Sequence, residues 1–299
     1  MEKSVLGLAV LCLLFPATVW SDTVDLTPIG DVTTWPGTPY RWMDVADNPY
    51  SSDYQGDFTY GQPSVSLTYD DISTAFSGSL AATGLKPNFA YQMKLVGMPG
   101  IDDWTNEQIG YAGRWWRNAP NSGNTTDADY EANKDDPGYE FLGYLLFDFF
   151  VTDEQGAAAV TFGADSSFHV LWATEDSTTS NGTGHRDPGA NDSAVRYYDF
   201  RASSGVNSPS YDTDYGSAHV GVYAEWESGR AMPGHLVLPA GEYNCQFILT
   251  EESFHQTGLG GGWAAAMGSD VQFTVVPAPP AVWLLGFGLI GLVGIRRRT

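Results

Sequence analysis

The sequence has few cysteines and few basic residues, and each shortage excludes a class of protein. Its 299 residues include two cysteines, Cys12 and Cys245. Because Cys12 lies in an N-terminal apolar stretch that we expect to be removed, Cys245 has no disulfide partner, and packing has to supply the stability. Asp and Glu number 36 against 14 Lys and Arg, which gives a net charge of −22 at pH 7. Such an acidic surface repels nucleic acid, so we expect no nucleic-acid partner.

Charge-free apolar stretches stand near the two ends of the sequence and are shorter than most membrane spans. Near the N-terminus, Lys3 precedes apolar residues 5–15, and the small-residue pattern Val-Trp-Ser ends at Ser21. This order is typical of a secretory signal peptide of residues 1–21, cleaved between Ser21 and Asp22 after export by the Sec machinery. An uncleaved anchor helix is the alternative, but the run is shorter than the ~20 residues that a span needs.

The C-terminal stretch has three parts in a fixed order. Residues 275–280 read Val-Val-Pro-Ala-Pro-Pro, residues 281–295 carry no charge, and Arg296, Arg297 and Arg298 follow. This stretch resembles the PEP-CTERM protein-sorting signal of bacterial surface proteins, in the variant with Pro277, Ala278 and Pro279 as its tripeptide. The resemblance implies cleavage near that tripeptide by an exosortase, a membrane-embedded transpeptidase-like sorting enzyme. The three arginines act as a stop-transfer signal on the cytoplasmic side.

The length of the apolar part indicates a temporary membrane segment. Residues 281–295 span ~22 Å as a helix, against a hydrocarbon core of ~30 Å. Four glycines within this segment weaken the helix further. We therefore expect a transmembrane helix that holds an inner-membrane intermediate until cleavage, after which the protein reaches the cell surface or the extracellular space.

Between these ends, alternating apolar and polar residues predict strands. Residues 65–69 alternate, and the aromatic stretch 139–152 predicts a central strand covered on both faces. Residues 153–156 predict a hairpin turn with Gly156 at positive φ. Polar residues 118–138 and 174–210 predict two long surface loops. With about nine or ten strands and at most one helix, residues 102–116 being the candidate, a β-sandwich is the economical architecture.

Two short turns refine this fold class. Gly84-Leu85-Lys86-Pro87-Asn88 precedes Tyr91, and Leu238-Pro239-Ala240-Gly241 precedes Tyr243. Both resemble the corner before a late strand in immunoglobulin-like or fibronectin-type sandwiches. The predicted fold is therefore an all-β, immunoglobulin-like antiparallel β-sandwich with long irregular loops. The predicted divisions are a signal peptide 1–21, an irregular lead 22–62 with at most one strand, a sandwich domain 63–276, and a sorting signal 277–299 with its helix at 281–295.

No catalytic pattern stands out in the sequence. It contains no Gly-x-Ser-x-Gly, no His-Glu-x-x-His and no phosphate loop, and nothing raises one pair of carboxylates above another. We therefore predict a protein that is not an enzyme. Trp104, Trp115 and Trp116 are candidate glycan contacts through stacking on sugar rings, with core packing as the alternative.

The sequence predicts no metal ligands and no cofactor. The pairs Asp70-Asp71, Asp102-Asp103 and Glu251-Glu252, and the acidic residues within 127–136, lack the spacing of a calcium loop, so a solvated acidic face is expected and calcium is the alternative. Cys245, His255 and Met267 follow the order of blue-copper ligands at much wider spacing. We expect Cys245 to be a buried apolar residue instead.

These observations lead to one function and two alternatives. The leading hypothesis is an exported, non-enzymatic protein of the cell envelope or extracellular matrix, sorted through its C-terminal signal. The first alternative is a secreted carbohydrate-binding module or polysaccharide-acting enzyme, with polysaccharide as the partner. The second is a calcium-dependent adhesin.

Overall fold

The computed structural model describes residues 21–29, 63–86, 89–153, 155–167, 170–171, 196–197, 221–222, 224–225, 231, 234–252 and 263–277. The predicted signal peptide up to residue 20, most of the loop 174–210 and the tail from Ala278 onward lie outside these ranges, so their predictions stay predictions. Among the described residues, no helix combines the length and the apolar character that a membrane span requires.

The described residues form sixteen strands and two helices. The strands are β1 Ser21–Asp25, β2 Thr27–Pro28, β3 Ser64–Asp70, β4 Ile72–Ser73, β5 Ser77–Thr83, β6 Ala90–Val96, β7 Arg114–Ala119, β8 Gly123–Thr125, β9 Glu140–Val151, β10 Ala158–Gly163, β11 Val170–Leu171, β12 Arg196–Tyr197, β13 Gly221–Val222, β14 Ala224–Glu225, β15 Gly241–Glu252 and β16 Trp263–Val275. The helices are α1 Asp103–Ala112 and α2 Asp127–Asn133.

Most of these strands belong to two sheets. The smaller sheet has the order β1-β3-β5-β10, and the larger has the order β2-β16-β15-β6-β9-β7-β8. All neighbours in both orders are antiparallel, and β4 adds a short parallel pairing to β16. Two short pairs, β11 with β14 and β12 with β13, complete the described strands. The all-β prediction is therefore confirmed.

One hydrophobic core joins the inner faces of the two sheets. Alternate residues of β3 and β6 point into it, because successive side chains of a strand face opposite ways. Phe76, between β4 and β5, contacts aromatic rings of both sheets. Its ring centroid lies 4.6 Å from that of Phe273 in the larger sheet and 5.4 Å from that of Phe162 in the smaller one. Cys245 is buried in the same core, as predicted.

The predicted central strand and its turn are only partly correct. β9 lies between β6 and β7 in the larger sheet, as a central strand should, and Gly156 has a φ of 72°. However, β9 and β10 belong to different sheets, because β10 pairs with β5. The turn at residues 153–156 therefore links the two sheets and is not a hairpin. Asp153 N still donates to Ala157 O at 2.9 Å, so the turn closes locally.

The prediction of at most one helix is wrong. α1 lies within the predicted helical stretch 102–116, but the predicted surface loop 118–138 also contains β8 and α2. The hydroxyl of Thr126 caps α2 by accepting a hydrogen bond from Asp129 N at 3.2 Å. The ring of Tyr130 on α2 stacks on Trp115 with centroids 3.6 Å apart. The packing of this half-buried ring on Trp115 stabilises a helix that the polar sequence does not predict.

The lead 22–62 contains more regular structure than predicted, at least in its first residues. β1 pairs with β3 along its whole length, and β2 pairs with β16. The seven residues of β1 and β2, six of them in the lead, therefore contribute one strand to each sheet. The rest of the lead lies outside the described residues.

Candidate functional site

A cavity of about 260 Å³ opens on the outer face of the larger sheet. Its walls come from four neighbouring strands, β6, β7, β9 and β15. The lining residues are Lys94, Val96, Trp116, Asn118, Leu142, Tyr144 and Ile248.

Strand register explains why these side chains meet. Trp116 lies opposite Leu142, Val96 opposite Tyr144, and Ile248 opposite Lys94. Directly opposed residues in antiparallel strands point to the same face of the sheet, and residues two apart in one strand do as well. The alternation of polar and apolar residues therefore places these side chains on the outer face and the core residues on the inner face.

The cavity has mostly apolar walls, with two half-buried aromatic rings and a buried lysine beside them. Trp116 and Tyr144 are half-buried, and the Nζ of Lys94 lies 5.7 Å from the centroid of the Tyr144 ring. The hydroxyl of Tyr144 donates to Oδ1 of Asn124 at 2.7 Å, at the edge of the sheet. Aromatic faces of this kind offer stacking surface. The arrangement suits a ligand with an apolar face.

The three predicted glycan-contact tryptophans do not form one site. Trp116 lines the cavity, whereas Trp115 is fully buried and donates from Nε1 to Asp127 at 3.1 Å. Neighbours in a strand point to opposite faces, so the pair on β7 cannot share a surface. The structure therefore removes Trp115 from the glycan contacts and makes it a core residue. Trp104 lies on α1, with its ring 5.1 Å from Tyr243 and 39% of its surface exposed.

A buried ion pair lies at the first of the two predicted corners. The Nζ of Lys86 is 2.8 Å from Oε2 of Glu251, and the two residues are 1% and 4% exposed. The hydroxyl of Tyr91 donates to Oε1 of Glu251 at 2.8 Å and accepts from Lys86 N at 3.1 Å. Nζ of Lys86 also lies 4.9 Å from the centroid of the Phe89 ring. Both carboxylate oxygens of Glu251 are thus hydrogen-bonded inside the protein.

This pair corrects the expectation that Glu251 belongs to a solvated acidic face. Phe247, Leu249 and Glu251 occupy alternate positions of β15, so the carboxylate continues an inward-facing apolar row. The alternate apolar positions that precede Glu251 in the sequence are the pattern that indicates its burial. Burial strongly raises the pKa of the Tyr91 hydroxyl, which therefore stays protonated and can donate to the carboxylate.

The second corner closes without charge. The hydroxyl of Tyr243 donates to Pro239 O at 2.9 Å, and its ring stacks on Phe273 at 5.0 Å. Burial raises the pKa of the Tyr243 hydroxyl well above its usual range. Burial likewise raises the pKa of the nearby Cys245 thiol, so Cys245 stays protonated.

Most other acidic side chains in the described clusters serve local structure. Asp102 caps α1 by accepting from Thr105 N at 3.0 Å, and Asp129 pairs with Arg117 at 2.8 Å. No group of three or more His, Cys, Asp and Glu residues suited to a metal ion occurs in the described ranges. His255, the middle member of the copper pattern, lies outside them. Calcium binding therefore stays a prediction of the sequence.

The predicted processing sites border the described fold. Ser21 is the first residue of β1, and Asp22 lies opposite Tyr69 and accepts from its hydroxyl at 3.3 Å. At the other end, Val276 N donates to Ser73 O at 2.8 Å, and Pro277 is the last described residue. Ala278, Pro279 and the three arginines lie outside the described residues.

Comparison with known proteins gives no family for this fold. No protein-family model matches the chain, and no curated protein matches it significantly. The described residues form an all-β protein with two main sheets and an aromatic cavity. The residues of the chain itself are therefore the basis of the proposed function.

Proposed function

We propose that this chain is an exported, non-enzymatic protein of the cell envelope or extracellular matrix, sorted through a PEP-CTERM-type signal. A signal peptide directs export, and a short C-terminal helix holds the protein in the inner membrane. An exosortase then cleaves near the tripeptide that begins at Pro277, and the body is released to the cell surface or beyond.

The observation that carries this proposal is the position of the first and last described strands relative to the two predicted cleavage sites. β16 runs to Val275, and Val276 is still hydrogen-bonded to the body through Ser73. The predicted tripeptide starts at the very next residue. Cleavage there would leave every described strand and the hydrogen bond from Val276 to Ser73 in place, and of the described strands cleavage after Ser21 would shorten only β1, by one residue. A signal that is cut away should leave the remaining domain intact in this way.

We further propose that the body is an immunoglobulin-like β-sandwich. Two mainly antiparallel sheets share one core, which is the general arrangement of such sandwiches. Tyr91 and Tyr243 each start a strand and hydrogen-bond back to backbone a few residues upstream. This is the geometry of a tyrosine corner, a recurrent feature of the immunoglobulin-like class.

Processing can be tested with matched proline variants. The full chain is produced in a host that carries a cognate exosortase, and membrane and released fractions are compared by immunoblot. We expect the double variant Pro277→Ala/Pro279→Ala to accumulate as membrane-bound precursor, while Pro280→Ala, outside the tripeptide, is processed like the wild type. Equal processing of all three proteins would contradict the assignment of the tripeptide.

A second candidate function, carbohydrate binding, is favoured by the cavity on the outer face. Trp116 and Tyr144 supply half-exposed aromatic surface in this cavity, and such a surface suits the apolar face of a sugar ring. We propose polysaccharide as the ligand class of this cavity. Binding would let the released body attach to an extracellular matrix, so the two functions are compatible.

Glycan binding has its own test. The full chain is screened on a glycan array, and any hit is measured by calorimetry with Trp116→Ala and Trp104→Ala. We expect Trp116→Ala to weaken binding about tenfold, since one aromatic stacking contact is worth ~1 kcal/mol or slightly more. Trp104→Ala should bind like the wild type because Trp104 lies on α1, outside the cavity. Equal affinity of both variants would contradict the cavity as the site.

A further inference from the structure

Four large apolar side chains are exposed among the described residues. Ile72 is 54% exposed, Ile101 72%, Trp104 39% and Val237 80%. Exposed apolar residues scattered one by one need no explanation, but a cluster of them indicates a contact surface.

These four residues lie on segments that meet at the C-terminal end of β16. Ile72 lies opposite Thr274, the penultimate residue of that strand. The ring of Trp104 lies over Gly241, and a Cβ added to Gly241 would come within 2.2 Å of it. Gly241 in turn lies opposite Val275. We call Ile72, Ile101, Trp104 and Val237 the apolar end, because Ile101 is three residues before Trp104 and Val237 is four residues before Gly241.

The apolar end lies at the end of β16 from which the chain continues toward residue 278. Among the described residues, Val276 is the last that hydrogen-bonds to the body, and the predicted membrane segment starts at Ala281. The four residues between them span at most ~14 Å when fully extended. The headgroup layer on each side of the hydrocarbon core is ~5–8 Å thick. With the segment inserted, this end of the body is therefore held at the membrane surface.

We propose that the apolar end docks on the bilayer surface while the C-terminal segment is inserted. Trp and aliphatic side chains favour the interfacial region, where apolar rings enter the headgroup layer. Asp71, Asp102 and Asp103 lie next to these residues in the sequence, so anionic headgroups would be repelled. The partner is therefore a zwitterionic lipid surface, such as phosphatidylethanolamine with phosphatidylcholine.

This inference rests on the proposed function, because it requires an inserted tail. The two can nevertheless be separated, since insertion and docking have different measurements. Flotation with vesicles reports insertion of the tail. Contact of a chosen position with the headgroup layer reports docking.

The test compares two labelled positions in the full chain. Ile101→Cys and Thr83→Cys are each made with Cys12→Ser, labelled with a fluorophore and reconstituted into zwitterionic vesicles with nitroxide-labelled headgroups. Cys245 is buried and remains unlabelled. Thr83 is an exposed control, because it lies at the end of β5 farthest from Asp70 and Ile72. We expect quenching at position 101 to be at least about twofold stronger than at position 83, since contact quenching requires entry into the headgroup layer.

Each outcome decides the matter. Flotation with equal quenching at both positions overturns docking and leaves tail insertion standing. Failure to float overturns both proposals. Adding Trp104→Ala and Val237→Ser to the position-101 protein should abolish the excess quenching. If the excess persists, the short connection alone holds the body near the membrane, and the apolar end is not a docking surface.

Discussion

Two corners of the fold are built on the same short pattern, a proline followed four residues later by a tyrosine. In each, the tyrosine hydroxyl hydrogen-bonds to backbone upstream, at Lys86 in the first corner and at Pro239 in the second. The first hydroxyl also donates to the buried carboxylate of Glu251. Both rings are stacked, Tyr91 on Phe150 and Tyr243 on Phe273, so the buried charge is what distinguishes the first corner.

This difference separates two ways of stabilising one local geometry. A buried ion pair is costly to desolvate and is tolerated only while each charge keeps its partners. Aromatic stacking has no such requirement and loses only contact area when it is trimmed. The first corner should therefore be sensitive to the loss of a single partner, whereas the second should tolerate it.

The largest effect is expected from breaking the ion pair. Glu251→Ala leaves Lys86 buried and unpaired, which should lower the free energy of unfolding by about 3–5 kcal/mol. Urea denaturation of the full chain measures it. The matched control is Lys86→Met/Glu251→Leu, which removes both charges and should recover most of the loss. A loss below ~1 kcal/mol for Glu251→Ala would contradict the burial of this ion pair.

An intermediate effect should distinguish the two tyrosines. Tyr91→Phe removes a hydrogen bond to a charged group and should cost about 1.5–3 kcal/mol, whereas Tyr243→Phe removes a neutral one and should cost about 1 kcal/mol. The same urea titrations give both values. The comparison between the corners fails if Tyr243→Phe is the more destabilising of the two.

The last expected effect is a gradual dependence of stability on alkaline pH, to which several buried groups contribute. Burial raises the pKa of Tyr91 and of Tyr243 above the ordinary value of 10.0, so the folded protein keeps protons that the unfolded chain releases. Stability is therefore fully present below pH 10 and falls as the pH rises above it, by up to ~1.4 kcal/mol per pH unit for each such group. The Cys245 thiol adds the same trend from its ordinary value of 9.0.

Unfolding free energies between pH 8 and pH 11 check this expectation. Tyr91→Phe and Tyr243→Phe should each flatten the decline, and Cys245→Ala should flatten its onset near pH 9. A decline that starts below pH 8, or one unchanged by all three substitutions, would point to other groups.

The sequence predicts the strands that line the core better than the connections between them. Alternation identifies β3 and β6 because burial on one face imposes period two, and the continuous aromatic stretch identifies β9 as a strand covered on both faces. The alternation pattern does not identify which strands pair. It therefore predicts a hairpin at 153–156, although this turn links two sheets. The sequence does not predict helix α2, because its stability depends on the stacking of Tyr130 on Trp115, which lies on a separate element of the fold.

The candidate cavity was predicted only in part. Trp116 was a candidate, but Lys94 and Tyr144 were not, since their meeting depends on strand register that no local pattern specifies. The prediction of Trp115 as a glycan contact is wrong, because the residue type alone does not distinguish an exposed stacking ring from a buried one. Period two within β7 would have separated Trp115 from Trp116 once that segment was recognised as a strand.

The most direct test of the proposal is the mass of the mature protein purified from its native host. We expect an N-terminus at Asp22 and a C-terminus at or next to residues 277–279, so that residues 280–299 are absent. Terminal peptides identified by mass spectrometry give both ends in one experiment. A mature protein that still ends in Arg-Arg-Arg-Thr would contradict sorting by cleavage and with it the proposed function.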